Sequence, residues 1–142
     1  MIYFTGDTHG DTLKIIRFAE RMHLRKEDTI IILGDAGYNY YGNERDRIAK
    51  QRLSRLKPTI LCIHGNHEIR PANIPTYQIE AWSGGIVWYE DEYPNLLFAK
   101  DGETHQGPQK IATMMTGKPL IEIFMVPPKG ALTDTARKSR QT

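Results

Sequence analysis

Over the first hundred residues the spacing of apolar positions alternates between that of strands and that of helices. Ile2 to Thr5 is a short β-prone run, broken by the glycines of Gly6-Asp7-Thr8-His9-Gly10-Asp11. From Asp11 or Thr12 a helix is predicted, because Ile15, Phe18, Ala19 and Met22 recur at i, i+3, i+4 and i+7 and form one buried stripe ending near His23. Thr29 to Leu33 is apolar without alternation, as in a parallel strand covered on both faces, and it stops at Gly34-Asp35. Glycines mark residues 36–42 as a loop, and Asn43 with Asp46 reads as the start of a second helix. Ala49, Leu53 and Leu56 supply its buried stripe, with the intervening Arg and Lys residues assigned to solvent. Pro58 closes that helix. Thr59 to Ile63 is a third strand, ending at His64-Gly65-Asn66-His67-Glu68.

Asp7, Asp35 and Asn66 therefore follow successive strands, about 30 residues apart, the length of one βαβ step. Such crossovers are right-handed, so the strands run parallel and their C-terminal ends share the edge at which open α/β sheets bind ligands. The expected fold is layered α/β with a parallel β-α-β-α-β start. After Pro71 the pattern weakens. Tyr77 to Trp82 reads as a short helix or irregular chain and Ser83-Gly84-Gly85 as a turn, while Ile86 to Tyr89 and Leu96 to Ala99 read as an antiparallel pair. Beyond Glu103 the chain turns polar, and only Leu120 to Val126 has strand character. The second half of the fold is thus expected to be incomplete, with a domain over 1–103 and a divergent tail over 104–142 that ends in about a dozen disordered residues. Truncation or a shifted reading frame would explain the change.

Composition narrows the function classes only a little. The 142 residues are 39% apolar and 25% charged with a net charge of +2, the profile of an ordinary soluble domain with no call for nucleic acid. No apolar run approaches the 18 or so residues that span a bilayer, so no membrane partner is expected. Nothing resembling a signal peptide precedes the first motif. A single cysteine, Cys62, precludes an internal disulfide and favours a reducing, cytoplasmic setting; within its apolar run it reads as core.

The chemistry lies at the strand ends. Asp7 and His9, two positions apart, can offer a carboxylate oxygen and an imidazole nitrogen to a borderline ion such as Mn²⁺, Fe²⁺ or Zn²⁺, or can serve as capping groups. Asp35 can bridge two cations or simply end a strand in a turn. Asn66 offers an amide oxygen, and His67 a proton for a leaving oxygen. Arg45 and Arg70, beside these loops in the sequence, read as surface charges or as contacts for an anion. His64 is either a support for the site or a hydrogen-bonded structural histidine. Tyr38, Tyr40, Tyr41, Trp82 and Trp88 could border a substrate cleft or pack in the core and loops.

Gly6-Asp7-Thr8-His9-Gly10, Gly34-Asp35 and Gly65-Asn66-His67-Glu68 resemble, in order and spacing, the first three motifs of the calcineurin-like metallophosphoesterases, leaning toward the Ser/Thr-phosphatase-like branch. The resemblance implies a dinuclear centre for phosphate mono- or diester hydrolysis: Asp7 and His9 on the first metal, Asp35 bridging, Asn66 on the second, His67 as general acid. It also implies in-line displacement without a phosphoenzyme. Two departures stand out. The arginine-bearing segment usual after the second motif is replaced by Ala36-Gly37-Tyr38-Asn39-Tyr40-Tyr41, and the later histidine and Gly-His-x-His motifs are absent. Of the remaining histidines, His105 is the only one after His67, and His23 reads as structural or exposed. The second metal is accordingly expected to bind weakly. The alternative reading is a non-catalytic metal-binding or protein-interaction module on this scaffold. A nucleotide-binding α/β protein fits less well, since neither a P-loop lysine nor a Gly-x-Gly-x-x-Gly pattern follows the first strand. An exposed sheet edge would allow homo-oligomers.

Overall fold

The computed structural model describes residues 1–6, 8–65, 67–106 and 123–125, with backbone alone at 106 and 123–125. Three strands, β1 (Ile2–Gly6), β2 (Thr29–Leu33) and β3 (Thr59–Ile63), are linked by helices α1 (Thr12–Arg21) and α2 (Glu44–Ser54). They pair in parallel, β1 with β2 and β2 with β3, in the predicted order. Then come β4 (Tyr77–Trp82), β5 (Gly85–Glu90) and β6 (Tyr93–Ala99), which complete a six-stranded sheet of order β1-β2-β3-β6-β5-β4. β6 is parallel to β3, and β5 and β6 are antiparallel as expected.

The side-chain period of two sorts the strand residues onto two faces. Ile30, Ile32, Ile60, Cys62, Leu96 and Phe98 face α1 and α2, which contribute Ile15, Phe18, Ala19 and Leu53 to that core. Ile31, Leu33, Leu61, Ile63, Val87, Leu97 and Ala99 form the opposite core. Both faces of β2 are buried, which is why its sequence shows no alternation.

Helix ends follow local chemistry. The Asp11 carboxylate accepts from Lys14 N–H and caps α1, and His23, just past its C-terminus, is exposed. Asn43 caps α2 by accepting from Arg45 N–H. At its far end Asn95 Nδ2, on β6, donates to the carbonyls of Leu53, Leu56 and Pro58.

Two expectations change. Tyr77–Trp82 is an edge strand rather than a helix or irregular chain. Its turn explains this: Ser83 and Gly84 both have positive φ (48° and 80°) between the paired Trp82 and Gly85, the geometry of a tight hairpin that ties β4 to β5. Lys50, assigned above to the solvent face of α2, is buried and ion-paired to Glu90.

A second ladder, β7 (Thr104–Gln106) with β8 (Ile123–Met125), pairs antiparallel inside the segment expected to be a tail. The other readings over 107–122 and 126–142 lie outside the described residues. No helix among the described residues is long and apolar enough to cross a membrane.

Candidate metal centre

The parallel start of the sheet delivers its loops to one edge, and there they are stitched together through the backbone. His9 N–H donates to the Asp35 carbonyl at 3.0 Å, and Gly10 N–H to the Ala36 carbonyl at 2.7 Å. Beneath them the buried Thr8 hydroxyl donates to the same Ala36 carbonyl at 2.9 Å. The fit depends on glycine: a Cβ at Gly37, where φ is +83°, would fall on the backbone of His9 and Gly10. The third loop joins through Asp35 itself, whose Oδ1 accepts from His67 N–H at 3.3 Å. A Cβ on Gly65 would collide with that carboxylate and with the Asp35 amide.

His9 and Asp35 hold left-handed φ values of +47° and +43°, a conformation uncommon for residues other than glycine. Each costs roughly 1–3 kcal/mol and persists where the surroundings over-determine it, which the crossing hydrogen bonds do here. His9 and His67 are exposed and Asp35 is half-buried, so all three can meet a ligand from solvent. Asp7 and Asn66, the other two residues expected to bind metal, lie outside the described residues.

Glu68 received no role from the sequence, although it completes the third motif. Its Oε1 accepts from Gly37 N–H at 3.3 Å, tying the third loop to the second. Its Oε2 is buried without a hydrogen-bond partner among the described residues. Burial pushes this carboxyl up to about 7, against the backbone hydrogen bonds from Gly37 and Ala36 that lower it; Asp35 and Asp46 add repulsion. A buried carboxylate beside Asp35 disfavours further negative charge and favours a cation, which fits a metal-binding edge.

The remaining candidates separate. His64 is buried, and burial followed by the charge of Arg70 holds its imidazole below the ordinary histidine range. Arg70 is ion-paired with Asp101. Arg45, at the start of α2, places its guanidinium 4.9 Å from the Tyr41 ring centroid. His105 sits by the β4–β5 turn, its Nδ1 3.0 Å from the Trp82 carbonyl and its ring tilted against Trp82, 5.6 Å between centroids. That turn belongs to β4 and β5, and β5 is three strands along from β2. At ordinary strand spacing β2 and β5 lie roughly 14 Å apart, which sets the His105 turn apart from the strand that carries Asp35. Among the described residues no three or more His, Cys, Asp or Glu side chains cluster as a metal would need. What is present is a histidine and a carboxylate on adjoining loops, a hard to borderline donor pair suited to a divalent ion.

A family model described as calcineurin-like phosphoesterase matches residues 1–130, and the chain belongs to that family. Searches among curated proteins and among solved structures gave no match. Phosphoester hydrolysis and the use of divalent metals are general properties of the family.

Proposed function

We propose that this chain hydrolyses phosphate mono- or diesters at a dinuclear metal centre, with Asp7 and His9 holding one ion, Asp35 bridging, and Asn66 holding the other. The observation that carries this reading is the double attachment of Asp35: its carbonyl to His9 N–H and its carboxylate to His67 N–H, which join the three strand-end loops at one edge. Bound ions would supply positive charge for the phosphoryl oxygens and lower the pKa of water. Asp35 orients through the His67 amide, and Glu68 holds the second loop in place. In the reaction water adds to phosphorus and loses a proton while the bond to the leaving oxygen breaks. His67, exposed at the mouth, donates the proton that oxygen needs.

Hydrolysis of p-nitrophenyl phosphate with added Mn²⁺ tests the reading, and a chelator should abolish it. Asp35→Asn should remove activity. His67→Ala should lower kcat by about 10²–10⁴-fold for an alkyl ester and by much less for p-nitrophenyl, whose leaving group needs little protonation. Unchanged rates in both variants would refute these roles. A calorimetric stoichiometry of one ion or none, with no turnover, would instead favour a non-catalytic binding module.

A further inference from the structure

The loop after Asp35 sends its aromatic residues in opposite directions. Tyr38 is fully buried, whereas Tyr40 and Tyr41 are 54% and 52% exposed. Exposed rings on a mobile loop would mean little, but this turn is held from below. The carboxylate of Asp46, only 5% exposed, accepts from Tyr41 N–H at 3.2 Å and from Gly42 N–H at 2.6 Å. The neighbouring Asn39 carbonyl accepts from Ile69 N–H at 2.7 Å, and the Ile69 side chain lies against Gly42. The turn is thereby fastened to the segment two residues past His67. The rings meet edge to face, 4.9 Å between centroids, and Arg45 covers Tyr41 without a carboxylate partner among the described residues. A buried carboxylate that fixes the backbone amides of this turn, two solvent-facing rings set at right angles, and a guanidinium with no carboxylate partner among the described residues make a preorganised platform at which one flat, anion-bearing ligand can stack.

We infer that Tyr40 and Tyr41, with Ile69 and Arg45 at their border, form the subsite for the organic part of the substrate and select phosphoesters that carry a planar aromatic ring. This rests on the proposed phosphoesterase reading and specifies its substrate class. Either an aryl ester or a nucleoside ester supplies such a ring, one placing it next to the phosphate and the other a sugar's length away. An aliphatic phosphate gains nothing from the platform. Stacking of a planar base on an aromatic side chain changes binding by about five- to 150-fold on alanine substitution.

Three phosphonates that cannot be hydrolysed serve as probes in calorimetry of the Mn²⁺-loaded full chain: propylphosphonate, benzylphosphonate and an adenine-bearing acyclic nucleoside phosphonate. The expected result is that at least one ring-bearing probe binds about tenfold or more tightly than propylphosphonate, and which one does so identifies the source of the ring. A Tyr40→Ala/Tyr41→Ala double variant should lose that preference while keeping its propylphosphonate affinity within about twofold, and Tyr40→Phe/Tyr41→Phe should retain it. Equal binding of all three probes, a preference that survives the alanine variant, or no binding of any probe overturns the inference. The hydrolytic reading is judged separately by Mn²⁺-dependent turnover of an aliphatic ester, which does not need the platform.

Discussion

Asp35 shows how much of the candidate site depends on single atoms. Gly65 leaves room for its carboxylate, His67 N–H orients it, and His9 N–H fixes the carbonyl behind it. Adding one methyl group at Gly65 would force Asp35 to move, because the obstructing atoms include its backbone amide. We expect Gly65→Ala to cost about 1–3 kcal/mol in a urea titration and to lose Mn²⁺ binding, whereas a wild-type midpoint would contradict the crowding seen here. The sequence displayed His9, Asp35 and His67 plainly, since each falls within a glycine-bounded motif at a strand end. It gave Glu68 no role and read Asp46 only as part of the start of α2. Their carboxylates act on backbone amides 31 and four or five positions away, and no local pattern records such a partnership.

Among the elements, α2 is where periodicity misled. Its apolar stripe predicted Leu53 inside and the bases outside, yet Lys50 turns inward and reaches Glu90 on β5 at 2.6 Å and Asn39 at 3.0 Å. Thr76 and the rings of Tyr77 and Tyr93 complete its surroundings. A lysine at a polar position has no signature of burial, because the carboxylate that compensates it stands 40 residues away. Removing the cation in Lys50→Met should cost about 3–5 kcal/mol, since Glu90 is then buried without its counter-charge, and adding Glu90→Gln should restore part of the loss. The pH dependence has a definite sign. Burial raises the Glu90 pKa, but hydrogen bonds from Lys50 and Thr76 and the charge of Lys50 outweigh it and hold the carboxyl below its ordinary 4.5. The unfolded chain therefore takes up this proton first. The pair contributes fully above about pH 4.5 and less as pH falls through the folded value. Between pH 6 and pH 3 the wild type should lose more denaturant stability than the Lys50→Met/Glu90→Gln double variant, and parallel losses would refute the assignment. The same limitation hid β4, whose strand conformation is set by its partner β5 and by positive φ at Ser83 more than by its own residues.

At the scale of the whole molecule, the first three strands and two helices were legible because local period and global layering agree there. In the far half the β5–β6 pair and the strand character around β8 were legible too, whereas β4 and the three-residue β7 take their meaning from pairing with other segments. His105 illustrates the difference. In the sequence it is only the one histidine after His67, and its place, fully buried at the β4–β5 turn with its ring 2.6 Å from where a side chain on Gly85 would begin, is set by that distant pairing. The sheet has one further consequence, at Cys62. Its thiol lies on β3, fully buried, and burial, with Glu68 adding to it, pushes the pKa well above the ordinary value. Both the reagent and the thiolate are thus denied until the central strands part, so the chain carries its own clock for global opening. Ellman's reagent should react negligibly in native buffer and at a rate that tracks the unfolded fraction as urea is added. Mn²⁺ should slow the clock in proportion to how strongly it binds the folded form, giving a measure of metal affinity that requires no turnover.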